Sequence, residues 1–116
     1  MIKDRVGQMF MIGFDGCKVS KELMDIVQRY HIGGVILFSR NINDPIQLAN
    51  LCNDLQSLSP DTPLFLSIDQ EGGRVSRLEE PFTQLPPAGI LGKIFEKEAK
   101  EIKKEGKGST EFSYEK

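Results

Sequence analysis

An acidic residue and a basic residue on either side of a glycine pair are the sharpest candidates for chemistry in this chain. Asp69 directly follows the apolar run at 64–68, and Arg77 comes after Gly72-Gly73. A buried strand would hold the carboxylate rigidly, and the glycines would allow positive φ or a close backbone approach to the ligand. A carboxylate and a guanidinium each form several hydrogen bonds, which suits a ligand with neighbouring hydroxyl groups. We therefore expect Asp69 and Arg77 to bind a polar ligand such as a sugar.

Two other roles remain open for this segment. Asp69 is also placed to cap the following turn and to pair with Arg74 or Arg77, which would be a structural role. Asp69 and Glu71 form a D-x-E pair that would suit Mg²⁺ if a substrate phosphate completed the shell. However, no phosphate motif is present, and Gly72-Gly73 lacks the spacing of a dinucleotide-binding loop. We expect no metal or other cofactor.

Alternating apolar runs and helical patterns position these residues. The runs at 9–14, 35–38 and 64–68 predict buried strands. Ser20 predicts the start of a helix over 21–30, and Asp44-Pro45 predicts the start of another that ends near residue 59. Residues at helical spacing are expected to face the core: Leu23, Ile26, Val27 and Tyr30 in the first helix, and Ile46, Leu48, Ala49, Leu51, Cys52, Leu55 and Leu58 in the second.

This order predicts an α/β fold with a parallel sheet and right-handed connections. The carboxyl ends of parallel strands share one edge, so the residues that follow the three strands should lie on one rim. These residues are Asp15, then Arg40-Asn41, then Asp69-Gln70-Glu71. Gly33-Gly34 is expected to break the first helix. His31 lies at the end of that helix and is expected to cap it, because a cation there interacts favourably with the helix dipole.

The last 24 residues differ in composition from the rest. Residues 93–116 are rich in Lys and Glu with a thin apolar stripe, which predicts a short surface helix. A break is expected at 106–110, followed by a poorly ordered end at 111–116. The sequence thus predicts a folded part over 1–92 and a charged tail over 93–116.

Composition excludes several classes of partner. The 116 residues carry a net charge of -2, with acidic and basic residues mixed, so neither a nucleic acid nor an anionic membrane is indicated. Cys17 and Cys52 stand apart, which is typical of a reducing compartment. The apolar run near the N-terminus is too short for a signal segment or a membrane span. We expect a cytoplasmic protein.

Three ordered blocks carry a family resemblance: GQMFMIGFDG at 7–16, GGVILFSRN at 33–41, and IDQEGGRVSRL at 68–78, the last followed by FTQLPPA at 82–88. Together they resemble the N-terminal domain of glycoside hydrolase family 3, of the β-N-acetylhexosaminidase type. The resemblance implies that the chain is the N-terminal β-α-β-α-β portion of a (β/α)₈ barrel. It also implies retaining hydrolysis of terminal β-N-acetylglucosaminides from peptidoglycan fragments or chitin oligosaccharides. By the same resemblance, Asp69 and Arg77 bind the sugar next to the cleaved bond.

The family's catalytic groups have no counterpart here. The nucleophile is a late aspartate and the acid/base a late His-Asp pair, so we expect no catalytic residue in this chain and no glycosidase turnover from it alone. In this interpretation the chain is a truncated family member, with a partial family-3 barrel domain over 1–92 and a tail over 93–116 that lies outside the family pattern. Two alternatives remain: a non-catalytic sugar-binding module, and an α/β module that self-associates through its open sheet edges.

Overall fold

The fold is an α/β arrangement around one parallel sheet, as described for residues 2–104 by a computed structural model. The elements in chain order are α1 (Ile2–Gly7), β1 (Met11–Ile12), α2 (Lys21–Tyr30), β2 (Gly34–Leu37), a 3₁₀ turn (Ser39–Asn41), α3 (Pro45–Ser57), β3 (Phe65–Ile68) and α4 (Ala88–Lys104). The sheet order is β1-β2-β3, and both pairings are parallel, which confirms the predicted fold class. The break expected at 106–110 and the end at 111–116 lie outside the described residues.

Two side-chain caps start the helices that connect the strands. The Ser20 hydroxyl accepts a hydrogen bond from the Leu23 N–H at 3.1 Å and begins α2. Asp44 Oδ1 accepts from the N–H groups of Ile46 and Gln47, each at 2.9 Å, and Pro45 is the first residue of α3. Both helix starts are as predicted, because each side chain satisfies amide groups that have no partner within the helix.

Helix α2 ends at Tyr30 as predicted, but His31 terminates it and not Gly33-Gly34. His31 adopts the left-handed conformation, with φ 52° and ψ 49°, and its N–H donates to the Val27 carbonyl, so the helix ends there and not at Gly33-Gly34. The capping role expected of His31 is therefore performed by its backbone. The glycines serve close packing instead: a Cβ on Gly33 would overlap the Gln8 carbonyl, and one on Gly34 would lie 2.8 Å from the Phe65 carbonyl oxygen.

Helices α2 and α3 cover one face of the sheet and form the core. Ile46 of α3, expected in the core, is 76% exposed. At 100° per residue it lies on the opposite side of the helix from Leu55. Ala49 and Tyr30 are also exposed, so these three predictions are wrong. Tyr30 is in phase with the core but belongs to the last turn of α2. The buried apolar residues are Leu23, Val27, Ile32, Val35, Leu37, Leu51, Leu55, Leu58 and Leu64.

The first and third strands are less buried than predicted. Only Met11 and Ile12 of the run 9–14 form a strand, because Met9 and Phe10 belong to a turn after α1, a helix that the sequence pattern did not indicate. Phe65 is 76% exposed. Met11, Gly34 and Phe65 are register partners on the face opposite the core, and Ser67 donates to the Met11 sulfur at 3.0 Å on the same face. This face carries exposed apolar side chains.

The last described helix begins earlier than expected. Helix α4 starts at Ala88, whereas the prediction placed a surface helix from about Lys93, and it runs through the predicted domain boundary at residue 92. Ile90, Leu91, Ile94 and Phe95 are all exposed. Within residues 2–104, every helix falls short of the length and apolar character that crossing a membrane requires.

Candidate functional site

The two predicted ligand-binding residues lie side by side at the carboxyl end of β3. Strand β3 ends at Ile68, which places Asp69 at the edge of the sheet. Arg77 Nη2 lies 3.8 Å from Asp69 Oδ2, and the two side chains are 29% and 47% exposed. Sequence reasoning therefore placed the pair correctly. Their sugar-binding role stays a prediction, since the same pairing also fits the structural alternative.

A tight glycine turn brings Arg77 back to the strand end. The Glu71 N–H donates to the Val75 carbonyl at 2.8 Å, and Gly72 and Val75 form an antiparallel bridge. Gly72 and Gly73 have φ of 79° and 61°, a region that strongly favours glycine. A Cβ on Gly72 would also overlap the Pro86 carbonyl. The positive φ expected of the glycines is present. The close approach seen at Gly72 is to the Pro86 carbonyl, and the expected approach to a ligand stays a prediction.

Gln70 closes the base of this loop, a role that the sequence did not indicate. Its Oε1 accepts from the backbone N–H of Arg77 at 2.8 Å and from that of Leu78 at 3.1 Å. Its Nε2 donates to the Ser76 hydroxyl at 2.8 Å. The only sequence signal was its position next to Asp69, because a glutamine side chain that bonds backbone seven residues away leaves no periodic pattern.

Phe38 connects the strand ends across the sheet edge. The guanidinium carbon of Arg40 lies 4.6 Å from the Phe38 ring centroid, and that of Arg77 lies 5.8 Å from it. Arg40 Nε is 2.7 Å from Asp15 Oδ1. Contacts thus run along the edge from Asp15 through Arg40, Phe38 and Arg77 to Asp69. The predicted rim is confirmed, but sequence reasoning counted Phe38 only as a strand residue.

Asn41 supports this rim from beneath. It is fully buried, at 0% exposure. Its Nδ2 donates to the carbonyls of Phe14 at 3.1 Å and Gly16 at 2.8 Å, and its Oδ1 accepts from the Phe38 N–H at 2.9 Å. One amide side chain therefore joins the loop after β1 to the turn after β2. The Asn41 side chain therefore holds the backbone on either side of Asp15, and it also holds Phe38, whose ring contacts Arg40.

Two cavities at opposite ends of the sheet differ in their suitability as ligand sites. A cavity of about 140 Å³ lies beside Arg77, lined by Ser39, Ile42, Asn43, Glu79, Glu80 and Phe82. A larger one, about 610 Å³, lies between α1 and α2 at the amino end of the strands. The candidate ligand site lies next to the smaller cavity, because strand-to-helix loops converge at the carboxyl ends. Arg77 lines that cavity and Asp69 does not. The volume of the smaller cavity is below the roughly 300–1,000 Å³ of a complete small-molecule site.

The described residues show no composite metal site. Within residues 2–104, no group of three or more His, Cys, Asp or Glu is arranged to hold a metal ion. Glu71, the second acid of the D-x-E pair, is exposed. Cys17 and Cys52 are free thiols. Burial raises the pKa of the Cys52 thiol above its ordinary value, since the thiolate is poorly solvated there.

Comparison with known proteins adds sequence evidence from longer relatives. The sequence is 41% identical over 88 residues to a β-hexosaminidase from Alkalilimnicola ehrlichii, a match that covers 76% of this chain and 25% of the relative. A β-hexosaminidase from Thiobacillus denitrificans is 53% identical over 64 residues, which are 55% of this chain and 18% of that protein. The chain therefore spans a quarter or less of the length of these relatives.

A solved structure and a family pattern also match this chain. A glycoside hydrolase family 3 β-N-acetylglucosaminidase from Paenibacillus sp. superposes with a TM-score of 0.75 at 41% identity, covering 79% of this chain and 18% of that one. The pattern of the glycosyl hydrolase family 3 N-terminal domain matches residues 1–111. The chain therefore belongs to the glycosyl hydrolase family 3 N-terminal domain family.

Proposed function

We propose that this chain supplies the sugar-binding Asp69 and Arg77 of a glycosidase that hydrolyses terminal β-N-acetylglucosaminides. The observation that carries the proposal is the distance of 3.8 Å between Arg77 Nη2 and Asp69 Oδ2. At this distance the two groups form an ion pair but no hydrogen bond. Within residues 2–104 the Asp69 carboxylate accepts no hydrogen bond, so its oxygens remain available to a ligand. A sugar ring with adjacent hydroxyl groups is such a ligand.

The relatives support the substrate class. The Alkalilimnicola ehrlichii and Thiobacillus denitrificans proteins are β-hexosaminidases. We propose that β1 to β3 form the first part of a (β/α)₈ barrel, in which ligand sites lie at the carboxyl ends of the strands. Asp69 and Arg77 occupy that edge here. The small cavity beside Arg77 fits a site that further barrel loops would complete.

Titration calorimetry of the 116-residue chain with N-acetylglucosamine tests this role. We expect millimolar binding that Asp69→Ala abolishes, because the mutation removes the acceptor for the sugar hydroxyls. Asp61→Ala is the matched control, since it removes an exposed acid from the loop between α3 and β3, far from the rim. Binding that survives Asp69→Ala, or no binding by the unmodified chain, would contradict the proposal and leave Asp69 with the structural role only.

The chain by itself should bind without turnover. The role proposed for Asp69 is recognition, and retaining hydrolysis needs a separate nucleophile and acid/base on either side of the bond. Release of a chromogenic aglycone from a β-N-acetylglucosaminide is the appropriate assay. Robust turnover by the purified chain would refute this assignment, whereas sugar binding without turnover also fits a non-catalytic sugar-binding module.

A second candidate function is self-association through the uncovered sheet face. Phe65 is 76% exposed and lies in register with the exposed Met11, next to the open edge of β3. An open strand edge with exposed apolar side chains favours pairing with another copy. Light scattering should then give a defined oligomer that Phe65→Ser reduces toward monomer. A monodisperse monomer at high concentration would exclude this candidate.

We also propose a reducing compartment, such as the cytoplasm. The support is that Cys17 and Cys52 are both unpaired thiols in the fold, which is typical of reducing surroundings. Localisation of the tagged protein by cell fractionation tests this proposal, and recovery with secreted proteins would overturn it.

A further inference from the structure

We propose that Gln70 is the positioning residue that holds Arg77 beside Asp69, an inference that rests on the proposed sugar-binding role of this pair. Gln70 is the chain neighbour of Asp69, and its Oε1 accepts from the Arg77 N–H at 2.8 Å. One side chain thus joins the residue that follows the carboxylate to the backbone of the residue that carries the guanidinium. It is not itself placed as a sugar ligand.

The other bonds within the loop do not join residues 76–78 to the strand end. The Glu71–Val75 hydrogen bond and the Gly72–Val75 bridge hold residues 71–75, which end two residues before Arg77. At the base, Gln70 Oε1 also accepts from Leu78 N–H at 3.1 Å, and Gln70 Nε2 donates to Ser76 Oγ at 2.8 Å. Gln70 therefore engages three successive residues, which restricts both the position and the rotation of the Arg77 backbone.

The Asp69–Arg77 ion pair is too weak to replace this restraint. Its 3.8 Å separation and partial exposure leave it screened by water. Arg77 also contacts the Phe38 ring, at 5.8 Å, near the outer limit for a cation–π interaction. Without the Gln70 side chain, the partly buried N–H groups of Arg77 and Leu78 would lose their acceptor. The guanidinium would then sample positions away from the carboxylate.

Two substitutions at Gln70 distinguish loss of its hydrogen bonds to the Arg77 backbone from a change of side chain alone. Gln70→Ala removes the acceptor and the donor. Gln70→Glu keeps an acceptor for the two N–H groups, and the Ser76 hydroxyl can rotate from the Leu78 carbonyl to donate to it. Gln84→Ala is the matched control, because Gln84 Nε2 donates to the Leu78 and Phe82 carbonyls without touching the Arg77 N–H.

The test measures hydrogen exchange at the Arg77 amide by NMR and N-acetylglucosamine binding by calorimetry on each variant. For Gln70→Ala we expect about tenfold faster exchange and about tenfold weaker binding. Gln70→Glu should recover most of both, and Gln84→Ala should change neither. Unchanged exchange and binding in folded Gln70→Ala would overturn the proposal, as would a folded Gln70→Glu that loses Arg77 protection. If the unmodified chain binds no sugar, the proposed function fails, while Arg77 exchange still decides the positioning role.

Discussion

Arg77 Nη2 lies 3.8 Å from Asp69 Oδ2, although a loop with two glycines separates the residues in the chain. Three features produce this arrangement: a strand that ends at Ile68, a turn with positive φ at Gly72 and Gly73, and the Gln70 side chain at the base of the loop. The pair depends on the backbone around it more than on its own attraction, because a partly exposed ion pair contributes little.

Asn41→Ala should weaken the rim and the fold together. The substitution leaves the Gly16 carbonyl and the Phe38 N–H without their side-chain partner, whereas the Phe14 carbonyl still accepts from Arg40 Nε at 3.0 Å. We expect the free energy of unfolding in urea to fall by about 2–4 kcal/mol, since each buried orphan group costs about 1–3 kcal/mol. Asn50→Ala, at an exposed position of α3, is the control and should change stability by less than about 0.5 kcal/mol. Equal effects of the two substitutions would contradict the role given to Asn41.

Leu55→Ala should destabilise the chain strongly, and Ile46→Ala should not. Both residues belong to α3, but Leu55 is fully buried, whereas Ile46 is 76% exposed. Truncation of a buried leucine costs about 2–5 kcal/mol because it leaves a cavity. Urea unfolding followed by circular dichroism measures the difference. A loss at Ile46 as large as that at Leu55 would mean that the exposed side of α3 is covered in solution.

Gly72→Ala should cost more than Gly16→Ala, although both glycines have positive φ. The φ values are 79° and 94°, so both substitutions introduce backbone strain of about 1–2 kcal/mol. Only Gly72 has a close neighbour, the Pro86 carbonyl, whereas a Cβ on Gly16 meets no atom within 4 Å. Thermal unfolding should show a lower midpoint for Gly72→Ala. Identical midpoints would indicate that the segment around Pro86 moves away without cost.

Cys52 should react slowly with alkylating reagents in the folded chain. Burial raises the pKa of its thiol, so less reactive thiolate is present near pH 8 than in the unfolded chain. Because the folded pKa is the higher one, its contribution to stability is present below the unfolded pKa, about 8.5, and is lost as pH rises through the folded pKa. Iodoacetamide labelling read by peptide mass spectrometry compares native protein with protein in urea. Equal rates would exclude the raised pKa.

Local signals in the sequence were sufficient to predict the order from β1 to β3 and the placement of the pair, but not α1. Ser20 and Asp44-Pro45 cap helices through neighbouring amides, so a few residues determine those helix starts. Strand β2 is apolar along its length and three of its four residues are buried, and Asp69 follows β3 as expected. These features depend on residues close together in the chain, so their spacing can be read from a single sequence.

Features that depend on distant contacts were not predictable. Phe65 is apolar like its strand neighbours, and its sequence context does not reveal that one sheet face is uncovered. Gln70 and Asn41 bond backbone groups across loops, so neither belongs to a periodic pattern. Phe38 acquires its role from two arginines, one of which lies 39 positions later in the sequence. Such contacts become visible only when the chain is folded.

The most direct measurement of the central claim is NMR observation of the Asp69 carboxyl carbon and the Arg77 Nε during titration with N-acetylglucosamine. Both signals should shift together along one saturable binding curve, while the Asp61 carboxyl carbon and the Arg29 Nε stay in place. If the sugar leaves the Asp69 and Arg77 signals unmoved at saturating concentration, or shifts only residues at the amino end of the strands, the assignment of this edge as the sugar site is wrong.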